Sequence, residues 1–303
     1  MTTIALTAEP RRATARDYFE LSKGRIVMMV LITTAAGFLF AAQNSGALLM
    51  AHSIPAVALL FMHTLIGTAL VAAGTNALNQ YVEREHDAKM LRTRTRPLPS
   101  GRMSPRAALL FSSLIAIAGT LYLGLLVNWL TAFLGAFTLT SYIFVYTPLK
   151  RISTICTVIG AIPGAIPPLM GWTAVTDSLD AGGLAAFGIL FFWQLAHFMA
   201  ISWLYRHDYD LGGYVMLAVR DESGTAVARH AIFYSLALLA VSVAPFFLGL
   251  SGVVYLAGAV VGGAAMIALS VRFFFERNAR NARTLFMTSN IYLLAVMILL
   301  VVA

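Results

Sequence analysis

The sequence predicts an all-α, polytopic membrane protein with about nine transmembrane helices around a central cavity. The chain has 303 residues, of which 59% are hydrophobic and only 11% are charged. A soluble domain of this length has about 25% charged residues. The apolar residues form nine runs, each long enough to cross the hydrocarbon core of a membrane as a helix. We therefore expect a single membrane-embedded domain over residues 1–303 rather than a soluble protein.

The order of the predicted spans separates short connections from two long polar loops. The spans cover residues 26–42, 54–78, 107–126, 129–146, 155–174, 184–204, 230–249, 252–271 and 285–303. The long loops follow the second and sixth spans, and each opens with carboxylates just beyond a helix end. This correspondence suggests a repeated unit of helices. We expect the active-site loops to be 79–106 and 205–229.

The basic residues predict the orientation of the chain in the membrane. If the N-terminus is cytoplasmic, all 21 Lys and Arg lie on the cytoplasmic side, including Arg11 and Arg12 before the first span. This partition agrees with the positive-inside rule, and we expect a multi-pass protein of the cell inner membrane. The net charge of +8 then reports topology and attraction to anionic lipids or substrates. We expect membrane lipid, and no nucleic acid, among the partners.

The stretch NQYVEREHDAKMLRTRTRPLPSG (79–101) contains the strongest chemical pattern. Asn79, Glu83 and Asp87 are four residues apart, so they share one face if the second helix continues beyond the membrane. One amide and two carboxylates suit Mg²⁺, which proteins usually share with substrate phosphates. The basic residues that follow would bind the remaining phosphate oxygens. Simple neutralisation of opposite charges is the alternative, but it does not explain Asn76 and Asn79 inside the apolar run.

The second long loop contains a matching acidic motif. YRHDYD (205–210) carries Asp208 and Asp210 at the end of the sixth span. Two acidic clusters facing each other across a cavity would hold Mg²⁺ around one diphosphate and stabilise its departure. The carbocation left behind would be shielded by apolar and aromatic walls. This pattern predicts the ionisation of an allylic diphosphate.

Four stretches carry a resemblance to a known family: 79–101, YTPLKRISTICTVIGAIPGAIPPLMGW (146–172), WQLAHF (193–198) and HDYDLGGYVML (207–217). They resemble the UbiA-type intramembrane prenyltransferase superfamily, which includes 4-hydroxybenzoate polyprenyltransferase. Within it, they are most similar to the protoheme IX farnesyltransferase (heme O synthase) family. Gly24, Ala196 and Val215 stand where that family usually has proline. These departures concern loop and helix geometry rather than the charged groups.

The resemblance implies transfer of a farnesyl group from farnesyl diphosphate to a vinyl group of heme B, with water added, giving heme O. By position, it assigns the first Mg²⁺ site to Asn79, Glu83 and Asp87, and the second to Asp208 with Asp210. The residues implied to bind diphosphate are Lys89, Arg92, Arg96, Lys150 and Arg151. Tyr146 would stabilise the cation, so that the catalytic set is Asn79, Glu83, Asp87, Asp208 and Tyr146. The alternatives are positive-inside anchors for Lys150 and Arg151 and an interfacial tyrosine for Tyr146.

Two histidines lie inside predicted spans and are candidates for heme contact. A histidine within a membrane span is a functional hypothesis by default, and histidine readily ligates heme iron. His197 is closer along the chain to an acidic motif than His63 is, so we favour His197 for contact with heme. His52 lies in a loop. The run AIPGAIPP (161–168) either kinks the fifth helix to make room for a flat macrocycle or provides small residues for close packing.

Two other functions compete with heme farnesylation. A polyprenyltransferase acting on an aromatic or quinone precursor would use the same acidic motifs. A transporter would need ionisable groups near the bilayer centre, whereas these carboxylates gather at one membrane face. The expected partners are heme B, farnesyl diphosphate and membrane lipid, and contact with a downstream heme-modifying enzyme stays open. Cys156 is the only cysteine, so we expect a packed side chain and no intramolecular disulfide.

Overall fold

The structure, a computed structural model, describes residues 13–45 and 53–303. Arg11, Arg12 and His52 lie outside these ranges. The described chain has nine helices long and apolar enough to span a membrane, as predicted. Numbered together with three short helices in chain order, they are α2 (Gly24–Asn44), α3 (Ile54–Asp87), α4 (Pro105–Leu126), α5 (Trp129–Leu149), α6 (Cys156–Thr176), α7 (Ala181–Leu204), α10 (Thr225–Phe247), α11 (Val253–Phe275) and α12 (Ala279–Val302). The short ones are α1 (Ala15–Leu21), α8 (Arg206–Leu211) and α9 (Leu217–Arg220).

Helices α6 and α7 lie at the centre of the bundle. In the most apolar 18-residue stretch of each helix, 72% of α6 and 56% of α7 is buried, a larger share than in any other described span. Helix α6 packs against α2, α5 and α7, and α7 packs against α10 and α12. The outer helices expose large apolar side chains such as Leu125, Phe247 and Val261. A surface of this composition is suited to contact with lipid tails.

Glycines allow α2 and α6 to approach backbone to backbone. A Cβ atom added at Gly37 would lie 2.0 Å from the carbonyl oxygen of Pro168, and one at Gly171 would lie 2.0 Å from that of Thr34. Membrane helices associate largely through such close contacts of small residues. The approach fixes α6 against α2, and both helices line the cavity described below.

Several helices are longer than the predicted spans. Helix α3 continues nine residues beyond position 78, to Asp87, and α12 begins at Ala279 rather than at 285. The predicted boundaries marked the end of the apolar run, whereas the backbone hydrogen bonds of a helix continue into polar sequence until a cap or breaker stops them. The continuation of α3 keeps Asn79, Glu83 and Asp87 on one helix, as their spacing requires.

Helix α5 contains a π turn at Ser141–Tyr146. The backbone nitrogen of Thr147 donates to the carbonyl oxygen of Tyr142, five residues earlier, and the Thr147 hydroxyl donates to the same oxygen at 2.8 Å. Pro148, which follows, has no backbone N–H to continue a regular ladder. Single π turns inside α-helices are frequent at functional sites. Here Tyr142 and Tyr146 both line the cavity, with their rings edge to face at 4.9 Å between centroids.

The polar loops are tied together at the end of the bundle that contains α1 and α8. His86 Nδ1 donates to the carbonyl oxygen of Gly212 at 2.7 Å. The backbone nitrogen of Val215 donates to the carbonyl oxygen of Lys150, also at 2.7 Å. Arg102 forms ion pairs with Asp17 and Glu20 of α1. Hydrogen bonds from Thr14, together with the charge of Arg102, lower the pKa of Asp17.

Candidate active site

A cavity of about 800 Å³ runs into the bundle between α2, α3, α5, α6, α7 and α12. Its charged lining residues lie at the loop end of these helices, and its deeper walls are apolar, with Val71, Met170 and Leu190 among them. A polar mouth above an apolar chamber suits a molecule with an ionic head and a hydrocarbon tail.

The cavity is lined along α3 by Asn79, Glu83 and Asp87, as predicted. These side chains are almost inaccessible to solvent, and each contacts a basic residue. Lys23 Nζ donates to Asn79 Oδ1 at 2.8 Å, Lys150 Nζ to Glu83 Oε1 at 2.7 Å, and Arg96 Nη1 to Asp87 Oδ2 at 2.7 Å. Three oxygen-bearing groups on one helix face fit a hard cation such as Mg²⁺. A cation there would compete with these basic side chains for the carboxylate oxygens.

The pKa values of the two lysines at the mouth are shifted in opposite directions. Burial by itself lowers the pKa of Lys150, but the Glu83 carboxylate and the surrounding tyrosine side chains, Tyr146 first among them, together outweigh it, so the pKa is well above the usual value and Lys150 stays charged. Burial, followed by the positive charge of Arg96, lowers the pKa of Lys23 to about 7. Lys23 is therefore divided between its charged and neutral forms near neutral pH. A negatively charged ligand at the mouth would favour its charged form.

Aromatic rings and cations alternate around the mouth. Lys150 Nζ lies 4.5 Å from the centre of the Tyr146 ring, and the Arg92 guanidinium lies 5.2 Å from the centre of the Tyr205 ring. The Arg92 guanidinium also lies 5.9 Å from the centre of the Tyr209 ring. These are cation–π distances, so the rings hold the basic groups in place and offer their faces to a developing positive charge.

Some of the predicted residues do not reach the cavity. Lys89, Arg151 and Asp210 are exposed, and none of them lines it. Asp208 is half-buried outside the lining and accepts a hydrogen bond from the backbone nitrogen of Arg92 at 3.3 Å. Tyr209, which lies between the two aspartates, lines the cavity instead. Over 13–45 and 53–303, no three His, Cys, Asp or Glu side chains gather closely enough to hold a metal ion.

The two candidate histidines lie in different surroundings. His197 lines the cavity from α7 and is hydrogen-bonded through Nδ1 to Ser289 Oγ of α12, at 2.8 Å. His63 Nδ1 is 2.7 Å from the hydroxyl oxygen of Tyr122, at the α3–α4 contact, and His63 is not a lining residue. Position therefore favours His197 over His63 for contact with a ligand in the cavity.

Lys23, Tyr142 and Gln194 are among the lining residues that escaped prediction. Lys23, directly before a span, has the sequence signature of an ordinary membrane anchor. Tyr142 is brought to the cavity with Tyr146 by the π turn, which no spacing rule anticipates. Gln194 lies within WQLAHF and donates to the carbonyl oxygen of Ala161 at 2.8 Å. A buried amide within a membrane span was the available signal for Gln194.

Carboxylates and cations at the mouth of an apolar chamber inside a helical membrane bundle are the features of an intramembrane prenyltransferase. The chain belongs to the UbiA prenyltransferase family, whose sequence profile matches residues 25–294.

Two bacterial relatives of high sequence similarity share one name. A protein named protoheme IX farnesyltransferase from Solibacter usitatus is 46% identical over 279 residues, which are 92% of this chain and 95% of that protein. One of the same name from Koribacter versatilis is 42% identical over 296 residues, covering 94% and 93% of the two chains. The chain is therefore similar to heme-farnesylating enzymes over nearly its whole length.

Solved structures share the fold at low sequence identity. A digeranylgeranylglyceryl phosphate synthase superposes with a TM-score of 0.75 at 18% identity, covering 95% of this chain and 97% of that one. A UbiA homologue from Archaeoglobus fulgidus bound to GPP and Mg²⁺ superposes with a TM-score of 0.63 at 15% identity. The match covers 95% of this chain and 100% of that one. These likenesses establish that the bundle has the UbiA fold.

Proposed function

We propose that this prenyltransferase transfers the farnesyl group of farnesyl diphosphate to a vinyl group of heme B, with addition of water, giving heme O. The observation that carries the proposal is one cavity lined both by Asn79, Glu83 and Asp87 and by His197. The relatives named protoheme IX farnesyltransferase support heme as the acceptor. We place the protein in the cell inner membrane with its polar loops in the cytoplasm.

The mouth provides the groups needed for departure of diphosphate. Asn79, Glu83 and Asp87 would hold Mg²⁺, which would neutralise the negative charge that develops as the C1–O bond breaks. Arg96 and Lys150, which now pair with these carboxylates, would then bind phosphate oxygens. Arg92 lines the same mouth. Asp208 and Asp210 would reach a second metal only if the 205–216 segment moved inward, and Lys89 and Arg151 would bind diphosphate from the exposed rim.

The walls of the cavity provide the setting for the carbon–carbon bond. The electron pair of the C1–O bond leaves with diphosphate, and the faces of Tyr146 and Tyr142 stabilise the allylic cation. The π electrons of the vinyl group form the new bond to C1, and the oxygen of water adds to the resulting cation and releases a proton. His197 would contact the heme. His63 does not line the cavity, so we propose no heme contact for it.

The decisive experiment incubates membranes containing the protein with heme B, farnesyl diphosphate and Mg²⁺, and reads the products by mass spectrometry. Asp87→Asn is compared with Glu85→Gln, whose carboxylate lies on the same helix but is exposed. We expect a heme product heavier by one farnesyl group and one hydroxyl group, lost on chelation and in Asp87→Asn but retained in Glu85→Gln. Prenylation of a quinone precursor instead of heme would replace the proposed acceptor. Full activity in Asp87→Asn would overturn the assigned metal site.

A further inference from the structure

The hydrogen bonds around Ser289 determine which nitrogen of His197 carries a proton. Ser289 Oγ lies 2.6 Å from the carbonyl oxygen of Phe286 and 2.8 Å from His197 Nδ1. Two oxygens at 2.6 Å need a hydrogen between them, and a carbonyl can only accept. The single hydroxyl proton of Ser289 is therefore donated to Phe286, so Oγ must accept from His197. This makes His197 the Nδ1–H tautomer.

The same residue also fixes the orientation of the imidazole ring. The carbonyl oxygen of Ser289 accepts a hydrogen bond from Trp193 Nε1 at 2.6 Å. The Trp193 ring stacks on the His197 ring at 4.8 Å between centroids, and the Phe286 ring lies 4.7 Å from it. One residue of α12 thus holds both the imidazole and its stacking partner on α7, which leaves the ring little freedom to rotate.

The remaining nitrogen, Nε2, is free to act on a ligand. Within the described residues, His197 is hydrogen-bonded only through Nδ1, and it lines the cavity together with Trp193, Phe198 and Phe286. In the Nδ1–H tautomer, Nε2 carries a lone pair, the form in which imidazole ligates a metal. Metal-ligating histidines are characteristically oriented by a hydrogen bond from their other nitrogen.

We propose that Ser289 is a positioning residue that holds His197 as the Nδ1–H tautomer and thereby directs Nε2 as an axial ligand to the iron of the acceptor tetrapyrrole. This rests on the proposed function and deepens it. The inference assigns the acceptor to the α7–α12 wall and the prenyl diphosphate to the α3–α5 wall. The flat aromatic side chains beside His197 match the faces of a macrocycle.

The first test is a titration of the purified full-length protein with ferric heme, followed by absorption spectroscopy without any prenyl diphosphate. We expect an imidazole-ligated spectrum that is lost in His197→Ala. Loss of a supporting hydrogen bond typically weakens metal affinity by about 10–100-fold, and we expect Ser289→Ala to lie in this range. The matched control is Ser270→Ala, which removes a buried hydroxyl bonded to Ser235 between α10 and α11, away from the cavity.

A chemical-rescue experiment separates positioning from general packing. In His197→Gly, added imidazole can ligate the heme while donating its N–H to Ser289 Oγ, whereas 1-methylimidazole can ligate but cannot donate. We expect imidazole to restore the ligated spectrum at lower concentration than 1-methylimidazole. We expect this preference to disappear in His197→Gly/Ser289→Ala, because the acceptor oxygen is then absent.

Three outcomes would overturn the inference: an imidazole-ligated spectrum in His197→Ala, a heme affinity in Ser289→Ala equal to that of Ser270→Ala, or equal rescue by the two imidazoles in His197→Gly. Its failure is distinguishable from failure of the proposed function because heme ligation is measured without transfer. The expected spectra combined with no farnesylated heme would support the ligand assignment and reject heme as the prenyl acceptor.

Discussion

The buried ion pair between Lys150 and Glu83 has both a structural and a chemical consequence. Lys150 Nζ lies 2.7 Å from Glu83 Oε1, and the side chains are only 14% exposed for Lys150 and 5% for Glu83. Removing one partner of a buried pair leaves the other charge without compensation, which is more damaging than removing both. Each member of the pair therefore compensates the charge of the other, and a basic group is kept beside the carboxylates.

We predict that Lys150→Met lowers the free energy of unfolding by about 3 kcal/mol, because it leaves Glu83 buried without a counter-charge. Lys150→Met/Glu83→Gln should recover at least half of this loss, yet both variants should lack transferase activity. The measurement is the unfolding midpoint in detergent solution together with product formation. As a control, Arg84→Met disrupts the exposed pair with Glu85 and should change stability by less than about 1 kcal/mol. Wild-type stability of Lys150→Met would contradict the argument.

The position of the Tyr146 ring depends on the absence of a side chain at Gly160. A Cβ atom there would lie 2.4 Å from Cε2 of Tyr146, so Gly160→Ala must displace the ring from Lys150. We predict at least a tenfold fall in transfer rate, about 1.4 kcal/mol in barrier height, with the fold retained. The control is Gly135→Ala, where the added atom meets its neighbours at 3.4–3.6 Å. Equal rates in the two variants would show that the ring position does not matter.

At the scale of elements, the π turn of α5 determines which side chains face the cavity. A regular helix places residues i and i+4 nearly on one face, and the extra residue in the π turn alters this register between Tyr142 and Lys150. Thr147 stabilises the turn by donating to the carbonyl oxygen of Tyr142, and it accepts a hydrogen bond from Asn79 at 3.3 Å. A single threonine thus couples the aromatic wall to the predicted metal-binding face.

We predict that Thr147→Val, which keeps the shape but removes both hydrogen bonds, lowers the free energy of unfolding by about 1–2 kcal/mol and lowers the transfer rate. Thr140→Val is the matched control: this threonine lies on the same helix, is exposed, and bonds only to carbonyl oxygens within its own helix. Unfolding midpoints and initial rates check both variants. A loss of activity in Thr140→Val as large as in Thr147→Val would remove the special role of the π turn.

At the scale of the whole molecule, the features fixed by local pattern were predictable. Hydropathy identified nine spans because each crossing requires a continuous apolar run. Spacing placed Asn79, Glu83 and Asp87 on one face because helical periodicity does not depend on tertiary contacts. The predicted second span ends at residue 78, nine residues before the end of α3. The spacing argument already required the helix to continue through this polar segment.

The features set by packing between distant segments were not predictable. Lys23 reaches Asn79 across 56 positions, and Lys150 reaches Glu83 across 67; nothing local encodes either contact. The two polar loops do meet, through the hydrogen bond from Arg92 to Asp208, but packing also decides which of their side chains face the cavity. In the structure, the 205–216 segment contributes Tyr209 and Tyr214 to the cavity and leaves Asp208 outside.

The orientation of the whole molecule is predicted from its basic residues and can be tested through cysteine labelling. Cys156 is fully buried, so the wild-type protein should be unreactive towards a membrane-impermeant maleimide and serves as the blank. Glu85 and Leu179 are exposed and lie in the regions at opposite ends of the bundle. The positive-inside rule places position 85 in the cytoplasm. We therefore expect Leu179→Cys to react in spheroplasts and Glu85→Cys only after permeabilisation. The reverse pattern would invert the topology and place the diphosphate-binding mouth on the side opposite to the cytoplasm.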